Sequence, residues 1–514
     1  MAPHRARGRF APYVLGNALL ALAVVLAAFA FGAAVVREHP WGFLAAAGVA
    51  LAAGAPLRHW GRAGSEPTRR EALLAVLTLW LAFPLVGMIP YVVSAGMSPL
   101  NALFEAMSGF TATGATAIAD FDAVPDSLFL FRAFSQWTGG IGILVLFIAV
   151  FPQLAIAGRQ LFQTEMPGPT EERLTPRLRQ TASMVLSVYL GLSLACGVAY
   201  VMAGMPVFDA VTHAFTTVAA AGFSPSARSF ELYDPATDYV ALVFMTLAAI
   251  NFVLLWRAFV GRPRELWRDP ELRAYLTIVL VVGTLVTIQL WSLYLPGDAV
   301  RHGFFQVVSI VTTTGYATAD FDAWPDAARA LLVFLMFIGG SAGSAAGGVK
   351  VARWLIIGGH TAREVRRALH PRAVLPLTIG GRRMSEEVVR AVAAFIGLYT
   401  MLIAVSTLTL AWLGEDLTTA FSAAAATVGN VGPGLGAVGP MSSYAEVHPV
   451  GRGLLIFNMY AGRLELVTVF VLVTSSWWRW PRTLGRREAA PFGSAPDGAS
   501  QRGSPGRSDA NGAG

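Results

Sequence analysis

The feature that most constrains the fold is a short segment of small residues and glycine that occurs four times between long apolar runs. The strongest copy has three threonines before Gly315, and the other copies end at Gly114, Gly222 and Gly432. Threonine and glycine are poor choices for a lipid-facing helix, but they suit an extended backbone whose carbonyls face a water-filled path. A fourfold internal repeat of this kind indicates four related units around one axis.

Two of the copies also share the residues that follow them. The sequence Ala-Asp-Phe-Asp-Ala-x-Pro-Asp occurs at 119–126 and again at 319–326. A chance run of alanine and threonine could explain one copy, but not four copies that each lie between two apolar spans. The repeated loops are therefore predicted to form a filter of backbone carbonyls. The predicted filter residues are Thr111, Ala112, Thr113, Gly114, Ala219, Ala220, Ala221, Gly222, Thr312, Thr313, Thr314, Gly315, Gly429, Asn430, Val431 and Gly432.

The composition identifies a polytopic membrane protein. Hydrophobic residues make up 55% of the chain and charged residues only 13%, and many apolar runs reach the roughly 20 residues that cross a bilayer. Arginines cluster in alternate loops, from Arg5 near the N-terminus to Arg487 near the C-terminus. By the positive-inside rule both termini are cytoplasmic, and the net charge of +7 needs no nucleic-acid partner. The single cysteine, Cys196, excludes an intrachain disulfide.

We expect an all-α polytopic membrane protein with four span–re-entrant helix–span repeats around a pseudo-fourfold pore, preceded by two extra transmembrane helices. Ten crossings are predicted, with second spans near 128–151, 238–260, 328–359 and 451–477 and re-entrant helices at 99–110, 206–218, 299–311 and 416–428. The predicted units are an N-terminal two-helix segment at 1–70, repeats at 71–180, 181–270, 271–385 and 386–487, and a disordered tail at 488–514.

Such a pore favours a monovalent cation. Backbone carbonyls replace a hydration shell without adding fixed charge, and each short helix directs roughly half a negative charge from its C-terminal end towards the axis. Asp120, Asp122 and Asp126 on the outer side either concentrate cations by their field or belong to an ordinary solvated loop. Arg132 either braces a neighbouring re-entrant loop or anchors its span at the interface.

A glycine-rich segment, Gly339–Gly348, interrupts the second span of repeat three. It has five glycines in ten residues, each costing a helix about 1 kcal/mol relative to alanine. Irregular backbone at this depth must line a cavity, so the segment is predicted to be a gate; the alternative is close packing of small residues between helices. The predicted gate residues are Gly339, Gly340, Gly343, Gly347, Gly348, Lys350 and Arg463.

Lys350 and Arg463, the two cationic residues of the predicted gate, have different alternative explanations. Lys350 is the only lysine in the chain, and it could also be a residue that extends its ammonium to the inner interface. Arg463 lies in the middle of a predicted span, where a charge usually marks a pathway or a paired site. We expect Arg463 to face the glycine-rich segment and to oppose cation passage when the segment is closed.

Together these motifs resemble the Trk/Ktr/HKT potassium transporters, and the two extra spans at the N-terminus resemble the TrkH type. The resemblance covers roughly residues 10–480. Besides the four loops it rests on Ser135-Gln136-Trp137-x-Gly139-Gly140, Gly339–Gly348 with Lys350, Gly432-Pro433-Gly434-Leu435-Gly436 and Gly462-Arg463-Leu464-Glu465.

The resemblance implies potassium uptake in the bacterial inner membrane by a homodimer in which each subunit has its own pore. It also implies a cytosolic TrkA-type nucleotide-binding regulatory subunit, potassium as the transported ion and no covalently bound cofactor. One departure is the run Ala219–Ala221, where hydroxyl residues are frequent in the family; it bears on selectivity more than on conduction.

Two other functions compete with this interpretation. A proton- or sodium-coupled carrier would also use broken helices near the midplane. A polytopic membrane enzyme, such as a lipid-linked sugar transferase, would need clustered carboxylates, histidines or a metal site near one interface, and the sequence contains no such cluster. We therefore expect a transporter and no enzyme activity.

Overall fold

The computed structural model describes residues 10–61, 69–149, 174–373 and 375–473, and helices dominate all four ranges. The expected all-α membrane architecture is confirmed. Residues 1–469 form one compact unit, and the residues from 470 onwards belong to a second. The predicted disordered tail lies outside the described residues, as do the arginines of the inner loop at 150–173.

The first two helices, α1 (Phe10–Val35) and α2 (Trp41–Trp60), pack closely against each other. Glycines lie where the two helices cross. A β-carbon on Gly16 would lie 2.8 Å from the α-carbon of Arg58, and one on Gly54 would lie 3.1 Å from the carbonyl oxygen of Gly16. Small residues allow backbones to approach in this way, and dispersion contacts then hold the helices together in lipid.

Four repeats follow, each with a long first helix, a short helix and a second helical region. Repeat one comprises α3 (Arg69–Ser94), α4 (Pro99–Phe110) and α5 (Asp126–Ala149). Repeat two comprises α6 (Leu174–Met202), α7 (Val207–Val218), α8 (Pro235–Ala248) and α9 (Phe252–Phe259), with α10 (Pro263–Arg268) after it. Repeat three comprises α11 (Pro270–Leu290), α12 (Pro296–Val311), α13 (Asp326–Leu335) and α14 (Val351–Leu369). Repeat four comprises α15 (Glu386–Trp412), α16 (Leu417–Val428), α17 (Pro449–Arg463) and α18 (Leu466–Val473).

The four short helices lie within three residues of the predicted positions, and the prediction for repeat one, 99–110, matches α4 at both ends. Local sequence explains their starts. Pro99 and Pro296 occupy first turns, where proline lacks only a hydrogen bond that no residue there could make. Asp416 caps α16 by accepting hydrogen bonds from the amides of Thr418 and Thr419. Helices of 12 to 16 residues are too short to cross a bilayer about 30 Å thick.

The second helical regions differ between repeats. Only α5 is continuous, whereas the regions in repeats two, three and four are each broken. The break at 336–350 was predicted from its glycines. The second spans predicted near 238–260 and 451–477 contain breaks that were not predicted, because α8 and α9 meet at 104° and α17 ends at Arg463. Arg463 is therefore at a helix end and not in the middle of a helix.

Seven of the described helices are long and apolar enough to cross a membrane, and the bent pair α8–α9 would be an eighth crossing. The predicted ten crossings also require the interrupted regions α13–α14 and α17–α18, so that count stays a prediction. The seven long helices include α1, α2 and the first helix of every repeat, which is the pattern that the repeat model predicts.

A two-stranded hairpin in the loop between α14 and α15 was not predicted. Strand β1 (Thr378–Ile379) pairs antiparallel with β2 (Arg382–Arg383). The connecting Gly380 and Gly381 have φ values of 57° and 77°, which is the left-handed conformation that a two-residue hairpin turn requires. The Gly-Gly pair was the sequence signal for this turn.

Candidate functional site

All four repeated loops have one unusual backbone conformation. In each loop a non-glycine residue has positive φ, and so does the glycine two positions later. The residue pairs are Ala112 (51°) with Gly114 (86°), Ala220 (52°) with Gly222 (79°), Thr313 (59°) with Gly315 (84°), and Asn430 (54°) with Gly432 (106°). A left-handed L-residue costs about 1–2 kcal/mol, so four such pairs require strong support from the surrounding structure. The alanine-only second loop has the same backbone as the threonine-rich third.

The four loops close into a ring. A β-carbon added to Gly432 would lie 2.8 Å from the carbonyl oxygen of Thr113 in the first loop. At each of the other three glycines an added β-carbon would collide with a carbonyl oxygen of the following loop. These pairs are Gly114 with Ala221, Gly222 with Thr314, and Gly315 with Val431. The order around the ring is therefore one, two, three, four and back to one, and no side chain fits at any of the four positions.

A cavity of about 50 Å³ opens on one side of this ring. Three of the ring glycines line it, together with Thr116, Ser224 and other residues that follow the loops in sequence. The short helices approach the ring from their C-terminal ends, because α4, α7, α12 and α16 each end immediately before a loop. Every short helix therefore places the negative end of its dipole beside its loop.

Side chains at one equivalent position hold the turns that follow the glycines. Glu105 is fully buried and accepts hydrogen bonds from the amide of Ala117 (2.7 Å) and from Nε of Arg132 (2.6 Å). Arg132 also donates to the carbonyl of Ser224 (2.8 Å). Of the two roles considered for Arg132, the structure favours the brace between loops. Gln306 in repeat three is equivalent to Glu105 and donates to the carbonyl of Tyr316 (3.2 Å).

Gln136 on α5 holds the second loop on both sides of its glycine. Its Nε2 donates to the carbonyl of Ala221 at 2.7 Å, and its Oε1 accepts from the amide of Phe223 at 3.0 Å. These bonds support the backbone on either side of Gly222, where the alanine sequence provides no hydroxyl groups. In the sequence Gln136 is recognisable only as part of a motif, and no local pattern indicates this role.

Tyr316 connects the second and third repeats. Its hydroxyl lies 2.5 Å from Oγ1 of Thr216 and 3.1 Å from Oγ1 of Thr217. Within the loops, threonine hydroxyls pair two residues apart. The two pairs are Thr111 with Thr113 (2.7 Å) and Thr312 with Thr314 (2.8 Å). The first and third loops are therefore stabilised from within, whereas the second depends on its neighbours.

The glycine-rich segment, Gly339–Gly348, lies in the connection between α13 and α14 and contacts the ring. The amide of Gly347 donates to Oγ1 of Thr313 at 2.6 Å. A β-carbon on Gly347 would lie 2.7 Å from the carbonyl oxygen of Gly429 and 3.0 Å from Cβ of Asn430. The segment therefore packs directly against the third and fourth loops, and its closeness to them depends on glycine.

Both predicted gate cations contact this segment. Lys350 is buried, and its Nζ donates to the carbonyls of Ala346 and Gly347. Arg463 is only 3% exposed, and its Nη1 donates to the carbonyl of Ala345 at 3.3 Å. Its Nε and Nη2 have no hydrogen-bond partner among the described residues. Arg463 therefore contacts the glycine-rich segment, and its effect on cation passage stays a prediction.

Comparison with known proteins identifies the family. A family model described as TrkH, a cation transport protein, matches residues 43–477. This chain belongs to the TrkH family. It is 40% identical to the Trk system potassium uptake protein TrkH of Vibrio parahaemolyticus, over 80% of this chain and 87% of that protein. It is 35% identical to the Trk system potassium uptake protein TrkG of Escherichia coli, over 81% and 87% respectively.

The fold agrees with that assignment. The crystal structure of the potassium transporter TrkH from Vibrio parahaemolyticus superposes with a TM-score of 0.83 at 36% identity, covering 92% of this chain and 99% of the other. The expected family is therefore confirmed, and with it a multi-pass membrane protein built from this family's repeats. The TrkH family consists of transporters, which is consistent with the expected absence of enzyme activity.

The outer aspartates of this TrkH-family chain have local structural partners. Asp122 and Asp322 donate their amides to the carboxylates of Asp120 and Asp320, respectively. Asp322 also accepts from the amide of Gly436 (3.1 Å) and pairs with Arg329 (3.1 Å). Among the residues that the structure describes, no group of three or more His, Cys, Asp or Glu side chains could hold a metal ion. Nothing in that part of the chain favours the membrane-enzyme alternative.

Replacement of Gln136 by leucine is predicted to destabilise the second loop. The change keeps the side-chain volume but leaves the buried amide of Phe223 without an acceptor, which costs about 1–3 kcal/mol. We expect a lower melting temperature for the purified protein in detergent. Thr138→Val is the control, because the Thr138 hydroxyl bonds only to carbonyls of its own helix. Equal melting temperatures for the two variants would contradict a bracing role for Gln136.

Proposed function

We propose that this protein takes up potassium across the bacterial inner membrane through the ring formed by its four repeated loops. The observation that carries the proposal is the closed order of the ring, in which Gly114, Gly222, Gly315 and Gly432 each contact the next loop. The names of the similar Trk system potassium uptake proteins support the choice of ion.

The chemistry follows from what surrounds the axis. A potassium ion that enters the ring loses water, and main-chain carbonyl oxygens replace that water without adding fixed negative charge. The C-terminal ends of the four short helices each add roughly half a negative charge to the local field. Both effects favour a weakly hydrated monovalent cation that can also leave.

The glycine-rich segment is the proposed gate of this pathway. Its contacts with Thr313 and Gly429 place its backbone directly against the ring. Lys350 and Arg463 add two buried positive charges at the same segment. A cation that crosses the ring meets these charges at short range in a medium of low dielectric constant, where repulsion is strong. Conduction would require the segment and its cations to move away.

Further proposals follow from the family. We propose that the protein acts as a homodimer with one pore in each subunit. A cytosolic TrkA-type nucleotide-binding subunit would move the glycine-rich segment from the cytoplasmic side. Both termini would lie in the cytoplasm, as the distribution of arginine favours.

A proton- or sodium-coupled carrier is the second candidate. It is favoured by the three broken helical regions, because alternating-access carriers bind their ions where helices are interrupted. Voltage-clamp recording in planar bilayers separates the two functions. Passive conduction predicts that the reversal potential follows the potassium gradient alone. A reversal potential that moves with the proton or sodium gradient at fixed potassium would favour the carrier.

Replacing one ring glycine should abolish uptake. In Gly315→Ser the added β-carbon would collide with the carbonyl oxygen of Val431, and the backbone would have to keep a φ of 84°. We expect the parent protein to restore growth of a potassium-uptake-deficient bacterium at low potassium. In the variant we expect rubidium uptake into proteoliposomes to fall at least about tenfold, since a strained site of this kind costs on the order of 1–3 kcal/mol.

Gly297→Ser is the matched control for that experiment. It lies in the same repeat, but a β-carbon at Gly297 meets no atom within 4 Å, and its φ is not in the positive region. A Gly315→Ser protein that is expressed and supports growth as well as the control would argue against conduction through this ring. Failure of the parent protein to support growth would reject potassium uptake itself.

Removing the Arg463 charge should increase flux. In Arg463→Ala the positive charge and the hydrogen bond to the Ala345 carbonyl are both lost, so the closed segment repels cations less. We expect rubidium efflux from proteoliposomes to rise severalfold without a regulatory subunit. Arg228→Ala is the control, because Arg228 is exposed and pairs with Glu231 away from the segment. An efflux rate equal to that of the control would contradict the electrostatic role of Arg463.

A further inference from the structure

Glu271, in the first turn of α11, connects the two sides of the break in repeat three. One carboxylate oxygen, Oε1, accepts a hydrogen bond from the amide of Ala342 at 2.8 Å and another from the amide of Ala352 at 3.0 Å. Ala342 lies within the glycine-rich segment, and Ala352 lies in the first turn of α14. One side chain from a different helix therefore fixes the segment relative to the helix that follows it.

The carboxylate of Glu271 supplies a capping acceptor for α14, which the residues just before that helix do not provide. Lys350 stands at the N-cap position of α14 and makes no side-chain capping bond. The first amides of a helix have no partner within the helix and attract negative charge. Glu271 therefore caps α14 from outside and binds the segment with the same atom.

Other bonds also hold the segment, including those from Thr313 and Arg463. Its glycines give the backbone little rigidity of its own. Main-chain bonds join Ser341 to the carbonyl of Ala249 and Ala345 to the carbonyl of Ala248, both at the break between α8 and α9 in repeat two. Among the described residues, the side-chain contact that binds the segment from α11 is the carboxylate of Glu271, which accepts from the amide of Ala342.

A cavity of about 360 Å³ lies beside Glu271 and Ala342. Gly347, by contrast, already packs against the carbonyl of Gly429. The segment therefore has space beside it at Ala342, and Glu271 lines that space.

The other carboxylates that line this cavity have different partners. Glu265 pairs with Arg257 (3.4 Å) and Arg262 (3.6 Å). Asp269 accepts from the amide of Leu272 (2.8 Å) and caps its own helix. Of the three acids at the cavity, only Glu271 binds the glycine-rich segment.

We infer that Glu271 is a positioning residue that latches the glycine-rich segment in its closed place beneath the ring. Release of the carboxylate from the Ala342 amide frees the segment to move into the adjacent cavity and opens the path from the ring. This inference rests on the proposed function of the segment as a gate, and it adds the residue through which the gate is held.

The test compares Glu271→Ala, Glu271→Gln and Glu265→Ala in full-length protein. Hydrogen exchange measured by mass spectrometry follows the amides of 339–350, and rubidium efflux from proteoliposomes follows conduction. In Glu271→Ala we expect exchange in this segment to rise about tenfold, because hydrogen bonds to a charged acceptor are among the stronger ones, and efflux to rise severalfold. Glu271→Gln keeps an acceptor oxygen without the charge and is expected to fall between the parent and alanine. Glu265→Ala is expected to match the parent.

The two readouts separate the latch from the gate. Unchanged exchange at 339–350 in Glu271→Ala would overturn the latch. Faster exchange with unchanged efflux would support the latch and overturn the proposed gate. If the alanine variant does not fold, Glu271→Asp replaces it, because its shorter side chain cannot reach both amides; exchange equal to the parent in that variant would likewise overturn the latch.

Discussion

The structure depends on four places where the backbone of one loop approaches the backbone of the next too closely for any side chain. At these places Gly114, Gly222, Gly315 and Gly432 each face a carbonyl oxygen of the neighbouring loop. Close backbone contact brings carbonyl oxygens together, and such contact is costly unless the loops are held from outside. Much of the remaining structure supplies that support.

The support is not the same in each repeat. The first and third loops contain paired threonine hydroxyls, whereas the second loop is held by Gln136 from α5 and by the contact between Tyr316 and Thr216. The second loop has no hydroxyl side chains, so its support comes from side chains outside it. This explains how a run of three alanines keeps the same backbone as a run of three threonines.

The same asymmetry separates the rigid part of the molecule from the part that can move. The second region of repeat one, α5, is continuous and braces the ring through Arg132 and Gln136. In the other three repeats this region is broken, and the breaks of repeats two and four bond to the glycine-rich segment through Ala248, Ala249 and Arg463. One second helical region is continuous and the other three are interrupted. The ring can therefore stay fixed while the interrupted backbone next to it changes position.

Much of this fold could be predicted from the sequence, because the informative residues act locally. Proline and aspartate at helix starts determined the short helices, and the glycines of 339–348 predicted the break in repeat three. The break after Ala248 could not be predicted, because no glycine or proline marks it. Gly462 precedes the break after Arg463, but a single glycine costs a helix only about 1 kcal/mol and does not by itself predict an end. The first of these breaks depends on contacts distant in sequence, such as the bond from the amide of Phe252 to the carbonyl of Gly343. Glu271 was missed for a similar reason, since an acid in a first helical turn usually serves only its own helix.

The central claim is that a monovalent cation binds where the four loops meet. Diffraction from crystals grown in rubidium, recorded at the rubidium absorption edge, tests this most directly. The account predicts anomalous density on the axis enclosed by Gly114, Gly222, Gly315 and Gly432, which disappears when rubidium is replaced by an organic cation. Anomalous density only at other positions, with none inside the ring, would contradict it.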